Sequence, residues 1–297
     1  MNKINLIVLE NQGFCFGVTR AIKLCEDNLN SFKKPIYLLG DLVHNKNVSN
    51  YFENLGVTIL KGNSRLEMLD KVTSGTVIIT AHGVGSNIYD KIRSKGLDLF
   101  DCTCPFVKKA SDLILEYINN SYDIIYIGKK NHPETEGVIS ESNRIHLIEN
   151  INDVDNLNIN NHLVGLSNQT TMSIYDIEDI VNRVKEKYPN VVILKTICNA
   201  TKNRQKELSD CLTNLKDQDF LCIVIGDPTS NNTLMLEKRA QSFKNGLTIK
   251  IEDKDMLDLD LVKKYKNIVI TSGASTPHVI VNEVIDKIGR LQIKKEL

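Results

Sequence analysis

Three stretches of the chain place a cysteine directly before an amphipathic pattern, and they decide the fold. They are FCFGVTRAIKLCEDNLN from residue 14, TCPFVKKASDLILEYINN from residue 103 and ICNATKNRQKELSDCLTNL from residue 197. The first two share Cys-x-x-Val-x-Arg/Lys-Ala, and the third keeps this spacing more loosely, with Thr201 in place of the valine. The pattern predicts a helix after each cysteine. The chain therefore repeats one unit three times.

Apolar runs that end in glycine follow the predicted helices and are typical of buried parallel strands. They are IYLLG ending at Gly40, IIYIG ending at Gly128 and CIVIG ending at Gly226. Four positions after each glycine stands a polar residue, namely His44, His132 and Ser230. A further strand in each unit leads to a second polar residue: His82 after VIITA, Thr170 after LVGLSNQ and Ser275 after NIVITSGA. Open α/β sheets bind ligands at the carboxyl ends of their strands, so we predict one central site on a pseudo-threefold axis.

The alternation of helices and strands predicts an α/β fold built from three repeated α/β domains. A leading strand with the first cysteine covers residues 1–15. The domains then cover 16–103, 104–197 and 198–284, and a C-terminal tail covers 285–297. Within them we expect helices over 174–187 and 233–245. The third domain carries an insertion, since Ser275 lies 77 residues after Cys198, against 67 between Cys15 and His82.

Composition excludes some classes of function. The 37 Lys and Arg residues balance 37 Asp and Glu residues over 297 positions, so no broad basic face is available for non-specific nucleic-acid binding. No apolar run approaches the roughly 20 residues of a membrane span, and the N-terminus lacks the features of a signal peptide. We therefore expect a cytoplasmic protein with no membrane partner, whose thiols stay reduced.

Three of the seven cysteines stand at equivalent positions of the repeat: Cys15, Cys104 and Cys198. A helix N-terminus lowers the pKa of a thiol and so favours the metal-binding thiolate. Three thiolates with an open fourth position suit a catalytic zinc or a [4Fe–4S] cluster, and the residues alone do not decide between them. Cys102, in DCTCP, alternates with Cys104 and is expected to be structural.

Donor-rich side chains occupy the repeat-matched loops: His44, His82, His132, Ser230, Asn232 and Ser275. Such donors suit a phosphate or diphosphate. The sequence has neither a P-loop nor a Rossmann fingerprint, so a nucleotide cofactor is unsupported. In HPETEG, expected to be a loop after the strand that ends at Gly128, a carboxyl of Glu134 or Glu136 can deliver a proton, and Thr170 can relay it. Thr171 and Ser173 are expected to cap the helix that follows.

Nine motifs in this order resemble the LytB family of 4-hydroxy-3-methylbut-2-enyl diphosphate reductases, over residues 13 to about 277. They are GFCFGVTRAI, GDLVHN, AHGV, DCTCP, NHPETEG, QTTMS, ICNATKNRQ, SNNT and TSGAS. The resemblance implies a trefoil of three α/β domains around a [4Fe–4S] cluster held by Cys15, Cys104 and Cys198. Oxygen exposure would convert this cluster to [3Fe–4S].

The resemblance also implies residue roles and a reaction. Glu134 matches the proton-delivering acid, and Asn231 stands where a serine is more usual beside the diphosphate. The other substrate-contacting positions are matched by His44, His82, His132, Thr170, Ser230, Asn232 and Ser275. The implied reaction removes the allylic hydroxyl with two electrons and two protons, giving isopentenyl and dimethylallyl diphosphate in the last step of the non-mevalonate isoprenoid pathway. An external ferredoxin or flavodoxin would supply the electrons, since no flavin or nicotinamide motif is present.

Three alternatives stay open on the residues. A quinolinate synthase-like enzyme also combines three α/β domains with a three-cysteine cluster, but it should lack the signatures around His82 and His132. An iron–sulfur or zinc sensor would use the same thiolates without turnover. A purely structural protein would bury the three cysteines in its core and bind no metal.

Overall fold

A computed structural model describes residues 4–293. Twelve strands lie in this part of the chain: β1 (Asn5–Val8), β2 (Ile36–Leu38), β3 (Val57–Ile59), β4 (Thr76–Ile79), β5 (Asp98–Asp101), β6 (Asp123–Ile127), β7 (Ile145–Ile148), β8 (Val164–Asn168), β9 (Val192–Ile193), β10 (Phe220–Ile225), β11 (Gly246–Ile251) and β12 (Asn267–Ser272). The helices of the same residues are α1 (Phe16–Asn28), α2 (Lys46–Asn54), α3 (Arg65–Asp70), α4 (Ser86–Ser94), α5 (Pro105–Asn119), α6 (Pro133–Ile139), α7 (Ile151–Asn156), α8 (Glu178–Lys187), α9 (Asn199–Asn214), α10 (Asn231–Gln241), α11 (Leu259–Val262) and α12 (His278–Ile293).

The strands form three four-stranded sheets, and every pairing is parallel. The strand orders are β3-β2-β4-β5, β7-β6-β8-β9 and β11-β10-β12-β1. Each sheet therefore has the same internal order, and its last strand is the one that leads to a cysteine. The predicted fold class, three repeated α/β units with parallel sheets, is confirmed. The leading strand β1 completes the third sheet by pairing with β12, which the sequence had not indicated.

Four of the six central strands are buried along their whole length, and in β2 and β6 one residue each is partly exposed. Every residue of β4, β8, β10 and β12 is buried, as expected for parallel sheets that are covered by helices on both faces. Apolar side chains of β10 and β12 alternate between two clusters, one holding Ile223 and Ile270, the other Val224 and Val269. The sheets thus have a packed core on each side, which fixes where their strands end.

Contacts divide the chain into two compact units. The first unit runs up to Phe16 and resumes at Asn199, and it holds the sheet of β1 and β10–β12. The second unit spans Gly17–Cys198 and holds the other two sheets. The predicted boundary at 284 falls inside α12, which continues to Ile293, and the last four residues of the predicted tail lie outside the described residues.

Three local expectations are corrected by the structure. The helix expected from 174 begins at Glu178, because Ser173 accepts the backbone N–H groups of residues 176 and 177 in a turn that precedes the helix. Neither Thr171 nor Ser173 caps this helix. The helix expected over 233–245 begins at Asn231, because Ser230 is its N-cap. It ends at Gln241. Glu134, expected in a loop, lies in the first turn of α6, where Pro133 occupies a position that suits its fixed φ.

None of the helices within residues 4–293 combines the length and apolar character needed to cross a bilayer.

Candidate functional site

The three repeat cysteines share one backbone arrangement. Each immediately precedes the first residue of its helix, and each donates its N–H to the carbonyl found two residues past the end of a sheet strand. The pairs are Cys104 with Ala81 after β4, Cys198 with Thr170 after β8, and Cys15 with Ala274 after β12, all at 3.0 Å. The register is identical in the three sheets. The structure therefore places every one of these thiols at a helix start beside the carboxyl end of a strand.

Burial separates these thiols from three of the other four cysteines, and the fourth, the partly exposed Cys211, lies inside α9 rather than at a helix start. Cys15, Cys104 and Cys198 are partly exposed, whereas Cys25, Cys102 and Cys222 are fully buried. The Cys102 Sγ lies 3.3 Å from the Cys25 Sγ. A hydrogen bond to Cys102, together with burial, raises the pKa of the Cys25 thiol far above its usual value. Cys102 thus packs in the core with Cys25, although it is only two residues from Cys104.

The partly exposed thiols fit soft-metal ligation better than the buried ones do, because a helix start stabilises a thiolate and burial in apolar surroundings opposes it. Within residues 4–293, no group of three or more His, Cys, Asp or Glu side chains is placed to hold a single metal ion. On their own surroundings, Cys15, Cys104 and Cys198 are each suited to ligate an iron–sulfur group.

Three histidines gather in the second unit. Ring centroids are 4.3 Å apart for His44 and His82, 5.3 Å for His44 and His132, and 5.8 Å for His82 and His132. They come from the loops after β2, β4 and β6, which lie in two sheets. The expectation that repeat-matched histidines converge is borne out geometrically in this unit.

Electrostatics favour the neutral form of His82 and His132. Burial lowers the pKa of His132 to about 3, with further lowering by His44, Arg65 and Lys129. Burial also holds the pKa of His82 well below its usual value, and the neighbouring His44, His132 and Arg65 add to the effect. His132 Nδ1 accepts the backbone N–H of Glu134 at 3.2 Å, so the proton of its neutral ring lies on Nε2.

Glu134 lies beside this histidine cluster, and its carboxyl is held at both oxygens. Oε1 accepts the Thr170 backbone N–H at 2.7 Å, and Oε2 accepts the Thr170 hydroxyl at 2.9 Å. Burial raises the pKa of Glu134 to about 7, while the two bonds from Thr170 and the nearby Tyr126 hydroxyl oppose that rise. A carboxyl whose pKa is near neutrality can give up and regain a proton at working pH. Glu136 is less buried than Glu134.

The first unit carries the remaining predicted residues. Ser230 follows β10 and Ser275 follows β12, which are neighbouring strands, and the Ser275 hydroxyl donates to Ser230 Oγ at 3.2 Å. Asn232 Oδ1 accepts the Thr201 hydroxyl at 3.0 Å. Ser230, Asn231 and Ser275 are all buried. These groups therefore assemble at the first turn of α10.

Two buried arginines were missed by sequence reasoning. Arg204 donates to the carbonyls of Asn11 and Gly13, just before Cys15, and to the carbonyl of Ser272 at the end of β12. Arg65 donates to the carbonyls of Gly83 and Pro133. Arg204 lies within ICNATKNRQ, six residues after Cys198, so its motif was a usable signal. Nothing in the sequence around Arg65 singles it out, because its partners are backbone groups distant along the chain.

Partly exposed thiols at helix starts are suited to iron–sulfur ligation, and a buried carboxyl with a pKa near 7 is suited to proton transfer, as in an iron–sulfur oxidoreductase. The family model described as LytB protein matches residues 6–289. The chain belongs to the LytB protein family, which is one of iron–sulfur enzymes. This decides against the quinolinate synthase-like alternative.

Curated relatives and solved structures agree with this assignment. A 4-hydroxy-3-methylbut-2-enyl diphosphate reductase of Geobacillus sp. (strain WCH70) is 42% identical over 286 residues, 95% of this chain and 90% of that protein. The reductase of the same name from Bacillus subtilis (strain 168) is 42% identical over 285 residues, again 95% and 90%. The E-1-hydroxy-2-methyl-but-2-enyl-4-diphosphate reductase structure from Plasmodium falciparum superposes with a TM-score of 0.87 at 34% identity, covering 96% of this chain and 88% of that one. A second structure is described as the terminal enzyme of the non-mevalonate pathway and gives a TM-score of 0.67 at 31% identity, covering 98% and 100%.

Proposed function

We propose that this chain removes the hydroxyl group of (E)-4-hydroxy-3-methylbut-2-enyl diphosphate reductively. The products are isopentenyl and dimethylallyl diphosphate, in the last step of the non-mevalonate pathway. Family membership supports the reaction. The observation on this chain that carries it is the carboxyl of Glu134, which is held by Thr170 beside a cluster of three histidines and has a pKa near 7.

Cys15, Cys104 and Cys198 hold the cluster in this proposal, which keeps the three α/β domains over 16–103, 104–197 and 198–284. The support is their identical backbone register at three helix starts and their partial exposure. A [4Fe–4S] cluster with three protein ligands supplies a Lewis-acidic iron with an open position and the electrons of the reduction. Such a cluster is converted to [3Fe–4S] by oxygen. Cys102 is no ligand, consistent with its burial against Cys25.

The diphosphate is bound by neutral donors. Nε2–H of His132 is available because its Nδ1 already accepts a backbone N–H. His44 and His82 stand within ring contact of one another and complete a donor cluster. Hydroxyls of Ser230 and Ser275, with the amides of Asn231 and Asn232, add donors from the first turn of α10. Neutral donors anchor the anion, and this fixes the allylic end for reaction.

Glu134 delivers the proton to the departing hydroxyl. Hydroxide is a poor leaving group, so a neutral carboxyl at this position lowers the barrier to C–O cleavage. Thr170 is the relay, because its hydroxyl donates to the carboxylate and both of its polar backbone groups are engaged, one by Glu134 and one by Cys198. The same threonine therefore connects the acid to a proposed cluster ligand.

The electrons come from a ferredoxin or flavodoxin, and the protein works in the reducing environment of the cytoplasm, with no nucleic-acid or membrane partner. The equal numbers of basic and acidic residues support the absence of a nucleic-acid partner. The proposed thiolate ligands support a reducing compartment.

The test is anaerobic reconstitution with iron and sulfide, followed by incubation with the allylic diphosphate and a chemical reductant. We expect cluster absorption, close to four irons per chain, and consumption of substrate to a mixture of two diphosphates. A protein that loads its cluster and leaves the substrate intact would be a sensor, and one that stays colourless would be structural.

A further inference from the structure

We propose that Arg65 is a positioning residue of the diphosphate site, which fixes the spacing between the His82 loop and the start of α6 and sets the tautomer of His82. The proposal rests on the function proposed above, since it concerns how that site is held.

Arg65 is the first residue of α3, yet its side chain turns inward and the residue is only 8% exposed. In the part of the chain that the structure describes, no carboxylate lies within ion-pair distance of its guanidinium. Glu136 is the acidic group whose charge it feels most, and burial still lowers the pKa of Arg65 to about 10. Burying a cation against neutral groups is costly. The hydrogen bonds of Arg65 must therefore offset the cost of burying its charge.

Arg65 binds the backbone of two segments of the proposed site, the His82 loop and the start of α6. Nη1 donates to the carbonyl of Gly83 at 2.8 Å and to the carbonyl of Pro133 at 3.1 Å. Gly83 directly follows His82, and Pro133 stands between His132 and Glu134. One nitrogen therefore joins the backbone next to three proposed functional side chains. The His82 loop follows β4 and α6 follows β6, and these strands lie in different sheets, so no sheet hydrogen bond joins the two segments.

The second nitrogen acts through Thr80. Nη2 donates to Thr80 Oγ1 at 3.2 Å, and the same oxygen lies 3.3 Å from His82 Nδ1. Because Oγ1 accepts from Arg65, its own hydrogen is left to donate, and His82 Nδ1 is the other hydrogen-bonding group it meets. Nδ1 is then the acceptor, and the proton of the neutral ring sits on Nε2. Arg65 thereby gives His82 the tautomer that the Glu134 N–H gives His132.

Two variants test the two halves of this account in the holoenzyme. Thr80→Val removes the hydroxyl at nearly constant shape, so it breaks the link to His82 and the Nη2 bond of Arg65 but leaves both Nη1 bonds to the carbonyls. Arg65→Lys keeps the charge, but a single ammonium cannot hold both carbonyls and Thr80 in the same planar geometry. Lys187→Met is the matched control, since Lys187 also donates to three backbone carbonyls of the second unit, those of Val154, Asp155 and Leu157, away from the site.

The measurements are iron content, affinity for inorganic pyrophosphate by anaerobic calorimetry, and KM and kcat with a chemical reductant. We expect full iron content throughout. Thr80→Val should weaken pyrophosphate binding about tenfold and change kcat by less than about threefold. Arg65→Lys should weaken binding by at least about tenfold and also lower kcat, because the helix of Glu134 loses its tie. Lys187→Met should lower Tm and leave affinity unchanged.

Wild-type affinity for pyrophosphate in both Thr80→Val and Arg65→Lys would overturn the proposal. An equal loss of affinity in Lys187→Met would also overturn it, because the loss would then follow from lower stability alone. Should Arg65→Lys fail to fold, Thr80→Val decides alone. A wild-type protein that binds pyrophosphate and leaves the allylic diphosphate intact would contradict the proposed function, while the affinity pattern of the variants would still judge the role of Arg65.

Discussion

Glu134 and Thr170 are joined twice, since one carboxyl oxygen accepts the backbone N–H of Thr170 and the other accepts its hydroxyl, at 2.7 and 2.9 Å. The carbonyl of the same Thr170 accepts the N–H of Cys198. A single residue at the end of β8 thus holds the proposed acid and the loop of a proposed cluster ligand. The geometry explains why a carboxyl so deeply buried can be fixed in direction and still titrate near pH 7.

The titration of Glu134 should be visible in the stability of the protein. Its pKa is raised from 4.5 to about 7, so the folded state holds a proton that the unfolded state loses in this window. Stability is therefore full below about pH 4.5 and falls as pH rises to about 7, by about 3 kcal/mol for this group. Glu134→Gln should remove this loss and make the apo protein more stable than wild type at pH 8, measured by denaturant unfolding. Equal pH dependence in both proteins would show that Glu134 titrates normally.

The turnover rate should follow the same group. Only the protonated carboxyl can donate, so kcat with a chemical reductant should decline as pH rises through about 7. Measuring the pH profile at saturating substrate checks this. A rate that is flat between pH 6 and 9 would point to water or to the substrate itself as the source of the proton.

Replacing the thiols one at a time should separate ligand from core cysteine. Cys15→Ala, Cys104→Ala or Cys198→Ala should each abolish a stable cluster, read as iron content and visible absorption. Cys102→Ala should keep iron near the wild-type level, because its thiol packs on Cys25. The control is Cys222→Ala, a buried cysteine in β10. Loss of the cluster in Cys102→Ala together with its retention in Cys104→Ala would reverse our assignment within DCTCP.

Substitution of the histidines should affect substrate rather than cluster. His44→Asn and His82→Asn each remove a ring of the donor cluster, and we expect KM for the diphosphate to rise about tenfold with iron content unchanged. His146 is a suitable control, because it pairs with Asp123 at 2.7 Å in the same unit and belongs to no site loop. Unchanged KM in both site variants would move the diphosphate elsewhere.

Gly13 should tolerate no side chain. Its φ is +71°, and a Cβ would come within 2.2 Å of the His278 ring. Gly13→Ala should lower Tm and reduce cluster retention, because Gly13 lies two residues before Cys15. Adding His278→Ala relieves the clash but not the φ strain, so it should restore only part of the loss. Full recovery in the double variant would show that the backbone conformation is not what demands glycine.

The repeat made the fold predictable, because three cysteine-led helices and three glycine-ended strands recur in order along the chain. It did not reveal that β1 completes the third sheet, since strand pairing between the two ends of a chain leaves no local pattern. Candidate site residues such as His44 and Glu134 could be proposed from the sequence, because polar groups that follow buried strands stand out. Arg65 and Thr80 could not, since they act through backbone carbonyls and a second side chain. Glu134 was predicted in a loop but lies in α6, because HPETEG is too short to show helical periodicity.

A single-turnover experiment tests the central claim most directly, that Glu134 is the acid of a reductive dehydroxylase. Anaerobically loaded and reduced wild type, Glu134→Gln and Glu136→Gln would each be mixed with the allylic diphosphate and quenched, and the two product diphosphates would be quantified. Gln keeps the size of the side chain, its amide oxygen can accept the Thr170 N–H and its NH2 can donate to the Thr170 hydroxyl, so the cluster should load in all three. We predict that wild type and Glu136→Gln convert the substrate at similar rates, while Glu134→Gln is slower by about 10²–10⁴-fold. Wild-type conversion by Glu134→Gln, with or without loss of activity in Glu136→Gln, would contradict the account.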